Sequence, residues 1–439
     1  MIDRLLKSAV IALPVAVVIA CGSETKTDDL AGASPRADAT KPIVVAAGAP
    51  VVVGISMPLT GPSGTGGLED SAATLVAVNR WKAKNGSLMH GHEIRVRAED
   101  DGCTETDIAE QAAKRLASAP SVAGVIGPYC SAGAEKAIPV YAAAGIVAIS
   151  GSATKTNLAT DQPPGGFFFR TAYRNDLEGE LIGLYAKFGL QATHVWVVDD
   201  SEAYGQDLAK SASDIMQNNG IRVSRESVRL GEKDFSDLAR RIKSDNPNLA
   251  VYAGFNPEAA LFYRQLKDAG FGGRIGSVDA AASVRNFIEP VGSQLADRAL
   301  FAGCAITVPD DFMNEFVAIH GSKSEDSTSL AQYADAAMIL LDALQKTAEE
   351  QPDGSLIIAP GKLREAVAAT ALTDGLSGSV AFDKSGDRVP KRGDDLKEFV
   401  DLATAAQDVN AFTNLGLVPC QVQDGKLVNL LGPHTGEIR

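Results

Sequence analysis

What most constrains this chain is an alternation of short apolar runs of strand length with amphipathic helical stretches, sustained from residue 51 to residue 278. Val51-Val52-Val53-Gly54-Ile55 reads as a buried strand, followed by a loop rich in Pro, Thr, Gly and Ser. Leu68, Ala72, Leu75 and Val78 then recur at helical spacing. Residues 93–99 alternate Ile94, Val96 and Ala98 as a strand does, and Ile108, Ala109, Ala112, Ala113 and Leu116 mark a second amphipathic helix. Strands over 122–126 and 146–150 enclose a helix over 132–143. After Pro163-Pro164-Gly165-Gly166 and a short extended run over 167–170, a second series begins. It has strands over 194–198, 221–228, 249–255 and 274–278, with helices over 204–219, 235–243 and 257–269 between them. Such alternation implies parallel strands with helical crossovers. The expected fold class is therefore α/β, with two doubly wound parallel-sheet lobes joined by a multi-strand hinge.

The remaining third carries helical patterns over 330–348 and 363–369 and a strand over 379–382. It is too short for a third unit, so its pieces are assigned to both lobes, with the chain crossing more than once. Residues 50–172 and 306–384 are expected in the first lobe, and residues 173–305 and 385–439 in the second. The length of 439 residues agrees with more than one domain.

The first 21 residues read as a leader. Arg4 and Lys7 precede an apolar run over 9–20, too short to span a bilayer but suited to a signal-peptide core. The run ends in Val18-Ile19-Ala20-Cys21-Gly22, which resembles the bacterial lipobox, with Cys21 as the residue to be lipidated. Residues 22–49, rich in Ala, Thr, Asp, Pro, Lys and Ser, are expected to be a flexible tether. The other four cysteines, Cys103, Cys130, Cys304 and Cys420, allow two disulfides in three connectivities. Cys103 and Cys130 follow neighbouring strand ends, which favours pairing them and leaves Cys304 with Cys420; free buried thiols are the alternative.

In doubly wound sheets, ligands bind beyond the carboxyl ends of the strands. In the first unit those ends carry hydroxyl- and glycine-rich loops over 58–67, 127–133 and 150–157. Helix N-termini there offer amide hydrogens and partial positive charge to an anion such as a carboxylate. Catalytic signatures are missing: the sequence has no G-x-x-x-x-G-K-[ST] loop and no G-x-S-x-G elbow. His90 and His92 flank a glycine in an expected turn and read as solvated loop residues, and His194 opens a strand. Asp100-Asp101 and Asp199-Asp200 sit at strand ends, where capping and turn roles are commonest. A formal net charge of -14 argues against nucleic acid as a partner. No metal or cofactor is implied.

Several of these segments are similar to those of a known family. They are Met57-Pro58-Leu59-Thr60-Gly61-Pro62, Glu99-Asp100-Asp101-Gly102-Cys103, Ile126-Gly127-Pro128-Tyr129-Cys130-Ser131 and residues 145–154. Phe169-Arg170-Thr171, Asp200-Ser201-Glu202-Ala203-Tyr204-Gly205 and residues 252–258 continue the series in order. Together they resemble the leucine/isoleucine/valine-binding proteins, the type I periplasmic binding family that serves ABC transporters. The resemblance implies no enzymatic activity. It implies a substrate-binding component of an importer, closing two lobes by a hinge on a small amino acid, branched-chain or otherwise aliphatic. A ligand sensor of the same fold, binding amino acids or short amides, is the alternative.

The resemblance also implies roles. Ser131 and Thr154 would donate to the ligand carboxylate, and the carbonyl of Ser152, next to Ala153, would accept from its ammonium. Tyr204 would close from the second lobe, with Phe255 in the neighbouring loop, Asp279 would pair with the ammonium, and Tyr333 would line the pocket. Two departures stand out: Thr65-Gly66 where the family often has an aromatic residue, and Phe255 where it often has tyrosine. The implied partners are the transporter's membrane subunits and, through the lipid anchor, the membrane; the protein would be an exported monomer facing the extracytoplasmic side.

Overall fold

The computed structural model describes residues 34–162, 165–324, 327–389 and 420–429. Two parallel sheets dominate. In the first, Val51–Met57 lies between His92–Asp100 and Val122–Ile126, and Val147–Ser150 and Phe168–Arg170 extend the sheet. Val51, Val53, Ile55 and Met57 are all essentially inaccessible to water, because this strand is covered on both faces by helices. Gly64–Asn85 and Leu330–Thr347 pack together on one side, with Val76, Trp81, Leu340 and Leu344 in the shared core. Thr106–Ser118 and Ser131–Ala144 cover the other, around Leu116, Ala134 and Tyr141.

The second sheet runs Arg222–Ser227, His194–Asp199, Leu249–Ala253, Arg274–Ser277 and Leu300–Phe301, all parallel. An antiparallel hairpin, Cys420–Gln423 and Lys426–Asn429, closes its far edge. The chain leaves the first sheet after Arg170 and enters the second through the helix Asn175–Leu184. It returns after Phe301 to the helix Asp310–His320, whose Phe312 and Phe316 join the first core. The C-terminal third thus contributes to both lobes.

Both disulfides form, Cys103 to Cys130 and Cys304 to Cys420. The first ties together the two loops that follow His92–Asp100 and Val122–Ile126; the second fastens the terminal hairpin to the segment after Leu300–Phe301. In a chain-entropy account, closing the 116-residue separation is worth about 5 kcal/mol and the 27-residue one about 3.5 kcal/mol.

Three features differ from the sequence reading. Within the stretch taken as a tether, Ile43–Val45 is a strand paired with Leu356–Ile358, and its alternation buries Ile43 and Val45 while Val44 is exposed. His92 is not a solvated loop residue: it opens the strand His92–Asp100, is buried, and its Nδ1 lies 2.7 Å from the carbonyl of Ala49. His90 does sit in the turn, with Nε2 2.8 Å from the carbonyl of Gln345. The expected leader and Cys21 lie outside the described residues. Among the described residues, no helix is long and apolar enough to cross a membrane.

Candidate functional site

A cleft, partly open to solvent, is lined by loops from both lobes. Each principal loop follows the carboxyl end of a strand. Ser131 follows Val122–Ile126, and Ser152 follows Val147–Ser150. From the other lobe, Tyr204 follows His194–Asp199, Phe255 follows Leu249–Ala253, and Asp279 follows Arg274–Ser277. Parallel strands point all these ends the same way, so chemistry distant in sequence converges on one gap.

On the first lobe, Ser131 is the first residue of the helix Ser131–Ala144 and is buried at the cleft wall. The N-terminal amides of a 14-residue helix lack intrahelical partners and carry partial positive charge. Ser131 Oγ accepts from the amide of Lys155, so its own hydrogen is left to donate. The adjacent loop is held from within. Ser150 Oγ donates to the carbonyl of Pro128 and accepts from the amide of Ala153. Ser152 Oγ donates to the carbonyl of Tyr129 and meets Tyr333 Oη at 2.7 Å.

Behind this loop lies Arg170, fully buried. Its guanidinium donates to the carbonyls of Ala153, Lys155 and Thr156 at 3.1, 2.7 and 2.8 Å and pairs with Asp387 at 2.6 Å. Arg170 thus props up the loop that carries Ser152 and Thr154.

On the second lobe, Asp279 is the centre of a hydrogen-bonded cluster. Tyr173 Oη donates to its Oδ2 at 2.7 Å, and Tyr204 Oη donates to its Oδ1. The amide of Asp279 donates to Glu178 Oε1 at 2.9 Å. Glu178 is fully buried, and burial, reinforced by the charge of Asp279, pushes its carboxyl well above the usual range. Burial and the same negative charge also push the Tyr173 and Tyr204 hydroxyls up. Asp279, ringed by donors and backed by the buried Glu178, gives this wall of the cleft an acidic seat. The Tyr204 and Phe255 rings lie 5.2 Å apart and form the aromatic edge of this wall.

Of the residues singled out from sequence, Ser131, Ser152, Tyr204, Phe255 and Asp279 line the cleft. Three do not. Ala153 is inaccessible, its amide and carbonyl already engaged by Ser150 and Arg170. Thr154 is buried next to the loop, and its hydroxyl has no partner among the described residues. Tyr333 is fully buried rather than lining the pocket. It stacks on Tyr129 with centroids 5.9 Å apart and planes 3° apart, and it reaches the cleft through Tyr129 and Ser152. Gly151 makes room for it, since a Cβ there would sit 2.7 Å from the Tyr333 ring.

Sequence reasoning did not find Arg170, Tyr173, Glu178, Tyr129, Asn256 or Asn286. The last three line the cleft, and the first three support it. Asp100, Asp101 and Asp199 fill turn roles, accepting from the amides of Leu59, Cys103 and Ser201 among others, and Asp200 accepts from the amide of Glu202.

Comparison with known proteins agrees with this geometry. Residues 50–392 match the family described as periplasmic binding protein. An amino acid binding protein of Pseudomonas aeruginosa is 31% identical over 236 residues, which are 54% of this chain and 62% of that protein. The chain thus spans about three-fifths of the length of the first such relatives. A leucine-, isoleucine-, valine-, threonine- and alanine-binding protein of the same species is 24% identical over 353 residues, 77% of this chain and 87% of that protein. Among solved structures, the leucine binding protein LivK of Thermotoga maritima superposes with a TM-score of 0.70 at 22% identity, covering 86% of this chain and 97% of that one.

Proposed function

The chain belongs to the periplasmic binding protein family, and from that premise we propose that it is the extracytoplasmic substrate-binding component of an ABC importer, closing its two lobes on a small amino acid. The supporting observation is the opposition of two charged seats across one cleft. Ser131 and the helix N-terminus behind it suit a carboxylate; Asp279, framed by Tyr173 and Tyr204, suits an ammonium. A zwitterion satisfies both, and an ion desolvated in such a gap needs a hydrogen-bonded counter-charge. The names of the two Pseudomonas aeruginosa relatives point to the same ligand class.

In this reading the ligand bridges the lobes and stabilises the closed arrangement by its differential affinity for it. The membrane subunits of the transporter recognise that closed form, and the protein acts as a monomer. Cys21 would carry the lipid that holds it to the membrane, with residues 1–21 removed or modified during export. Isothermal titration with the twenty amino acids tests the ligand reading. Binding of at least one amino acid is expected, weakened at least about 100-fold, or about 2.7 kcal/mol, by Asp279→Asn. Absence of binding by all twenty sinks it. Release of a Cys21→Ser chain from the membrane fraction tests the anchor.

A further inference from the structure

The two seats leave the rest of the cleft lining to the ligand's side chain, and the wall from the first lobe has a distinctive chemistry. Pro62, Ser63, Thr65, Tyr129, Thr328 and Ser329 form that wall. No leucine, isoleucine, valine or methionine lines the cleft among the described residues. The polar character is also held in place from behind. Ser329 Oγ donates at 2.7 Å to Oδ2 of Asp70, which is fully buried, and Ser327 Oγ donates to Oδ1 at 2.6 Å. With its hydrogen committed, Ser329 presents lone pairs to the cleft. Ser63 is committed likewise, its hydroxyl directed at Cys103 Sγ at 3.3 Å. The hydroxyls of Thr65 and Thr328 make no hydrogen bond to other described residues and are free to donate or accept. Gly66 keeps this corner open for Tyr129, whose hydroxyl lies 2.8 Å from where a Cβ would be.

We propose that this wall selects an amino acid whose side chain carries an uncharged hydroxyl or carboxamide over its aliphatic isostere; the inference rests on the amino-acid reading above. An aliphatic side chain would strip water from Ser63, Thr65, Thr328 and Ser329 and return nothing, whereas a group that both donates and accepts restores each bond. Sites built to hydrogen-bond a ligand hydroxyl discriminate strongly against the analogue that lacks it. A carboxylate side chain is disfavoured by Asp70 and Glu69 behind the wall, and among the described residues no basic one lines the cleft to receive it. A cationic side chain finds no open carboxylate on this wall, because both oxygens of Asp70 are taken by serines.

Isosteric ligand pairs test this on the full chain freed of bound ligand. In calorimetric titration, threonine is expected to bind at least about 10-fold more tightly than valine, and asparagine more tightly than leucine by a similar factor. In the near-isosteric double variant Thr65→Val/Thr328→Val, the threonine-over-valine ratio is expected to fall at least about 10-fold. Valine and leucine binding as tightly as their polar partners in the unmodified protein overturns the inference while leaving the amino-acid reading standing. Binding of no amino acid overturns both. The unmodified protein carries the first comparison by itself, so misfolding of the variant does not shield the inference.

Discussion

Replacing Arg170 by lysine is expected to loosen the loop of Ser152 and Thr154 without touching the opposite wall. The guanidinium spends one edge on Asp387 and the rest on three carbonyls, those of Ala153, Lys155 and Thr156. A lysine ammonium can keep the charge pair but lacks the planar fork needed to reach all three carbonyls from one position. Breaking such a buried, paired network costs about 3–5 kcal/mol. At an unfolding entropy of about 2.1 cal/mol/K per residue over roughly 360 residues, 4 kcal/mol lowers Tm by about 5 °C. Ligand affinity should fall at least about 10-fold, because the loop must be reordered on binding. Asp387→Asn is the control: it removes the charge but keeps the carbonyl contacts, so affinity should change less than in Arg170→Lys. Differential scanning calorimetry and titration read both quantities. An Arg170→Lys protein with Tm within about 1 °C of the parent and unchanged affinity would falsify the assignment of Arg170 as the support of the loop.

Burial raises the carboxyls of Asp70 and Asp200 to about 7 and that of Asp101 to about 6. The folded state then holds protons that the unfolded chain releases near pH 4. Stability is therefore fullest below that pH and is lost as pH rises through 6 to 7, by roughly 1.4 kcal/mol per pH unit for each group. Melting curves at pH 5 and pH 8 should show the higher Tm at pH 5; the opposite order would count against these buried acids. Burial raises the Glu178 carboxyl as well, so Glu178→Gln, which keeps an acceptor and removes the charge, should cost little stability at pH 7; a Tm drop of more than about 5 °C would count against that reading. Removing Cys304–Cys420 as a double alanine variant should cost more stability than removing Cys103–Cys130, by roughly 1 kcal/mol from loop length; denaturant midpoints of the two variants decide the order.

Much of the fold was legible because buried parallel strands leave unmistakable runs. Residues 122–126 match the strand Val122–Ile126 to the residue, and Leu330–Thr347 differs from its reading by one position. What escaped was either short or non-local. Ile43–Val45, Glu349–Glu350 and Leu356–Ile358 are too brief to show a period and exist only because they pair with one another. The helix Asp310–His320 is an exception, since Phe312, Met313, Phe316 and Val317 do recur at helical spacing. In the site, Ser131, Tyr204 and Asp279 were singled out through the resemblance to the leucine/isoleucine/valine-binding proteins, and each follows the end of a strand. Glu178, Tyr173 and Arg170 could not be singled out, because each matters through a partner roughly 100 to 220 positions away in the chain.

Tyr173 stands three residues past the last strand of the first sheet, yet its hydroxyl rests on the acid assigned to the ligand's positive charge. Ligand chemistry and joint mechanics therefore share one atom-to-atom link. A descendant that swapped the charge at position 279 to suit a neutral or acidic solute would also disturb the swivel, so positions 173 and 279 should mutate as a couple across the lineage.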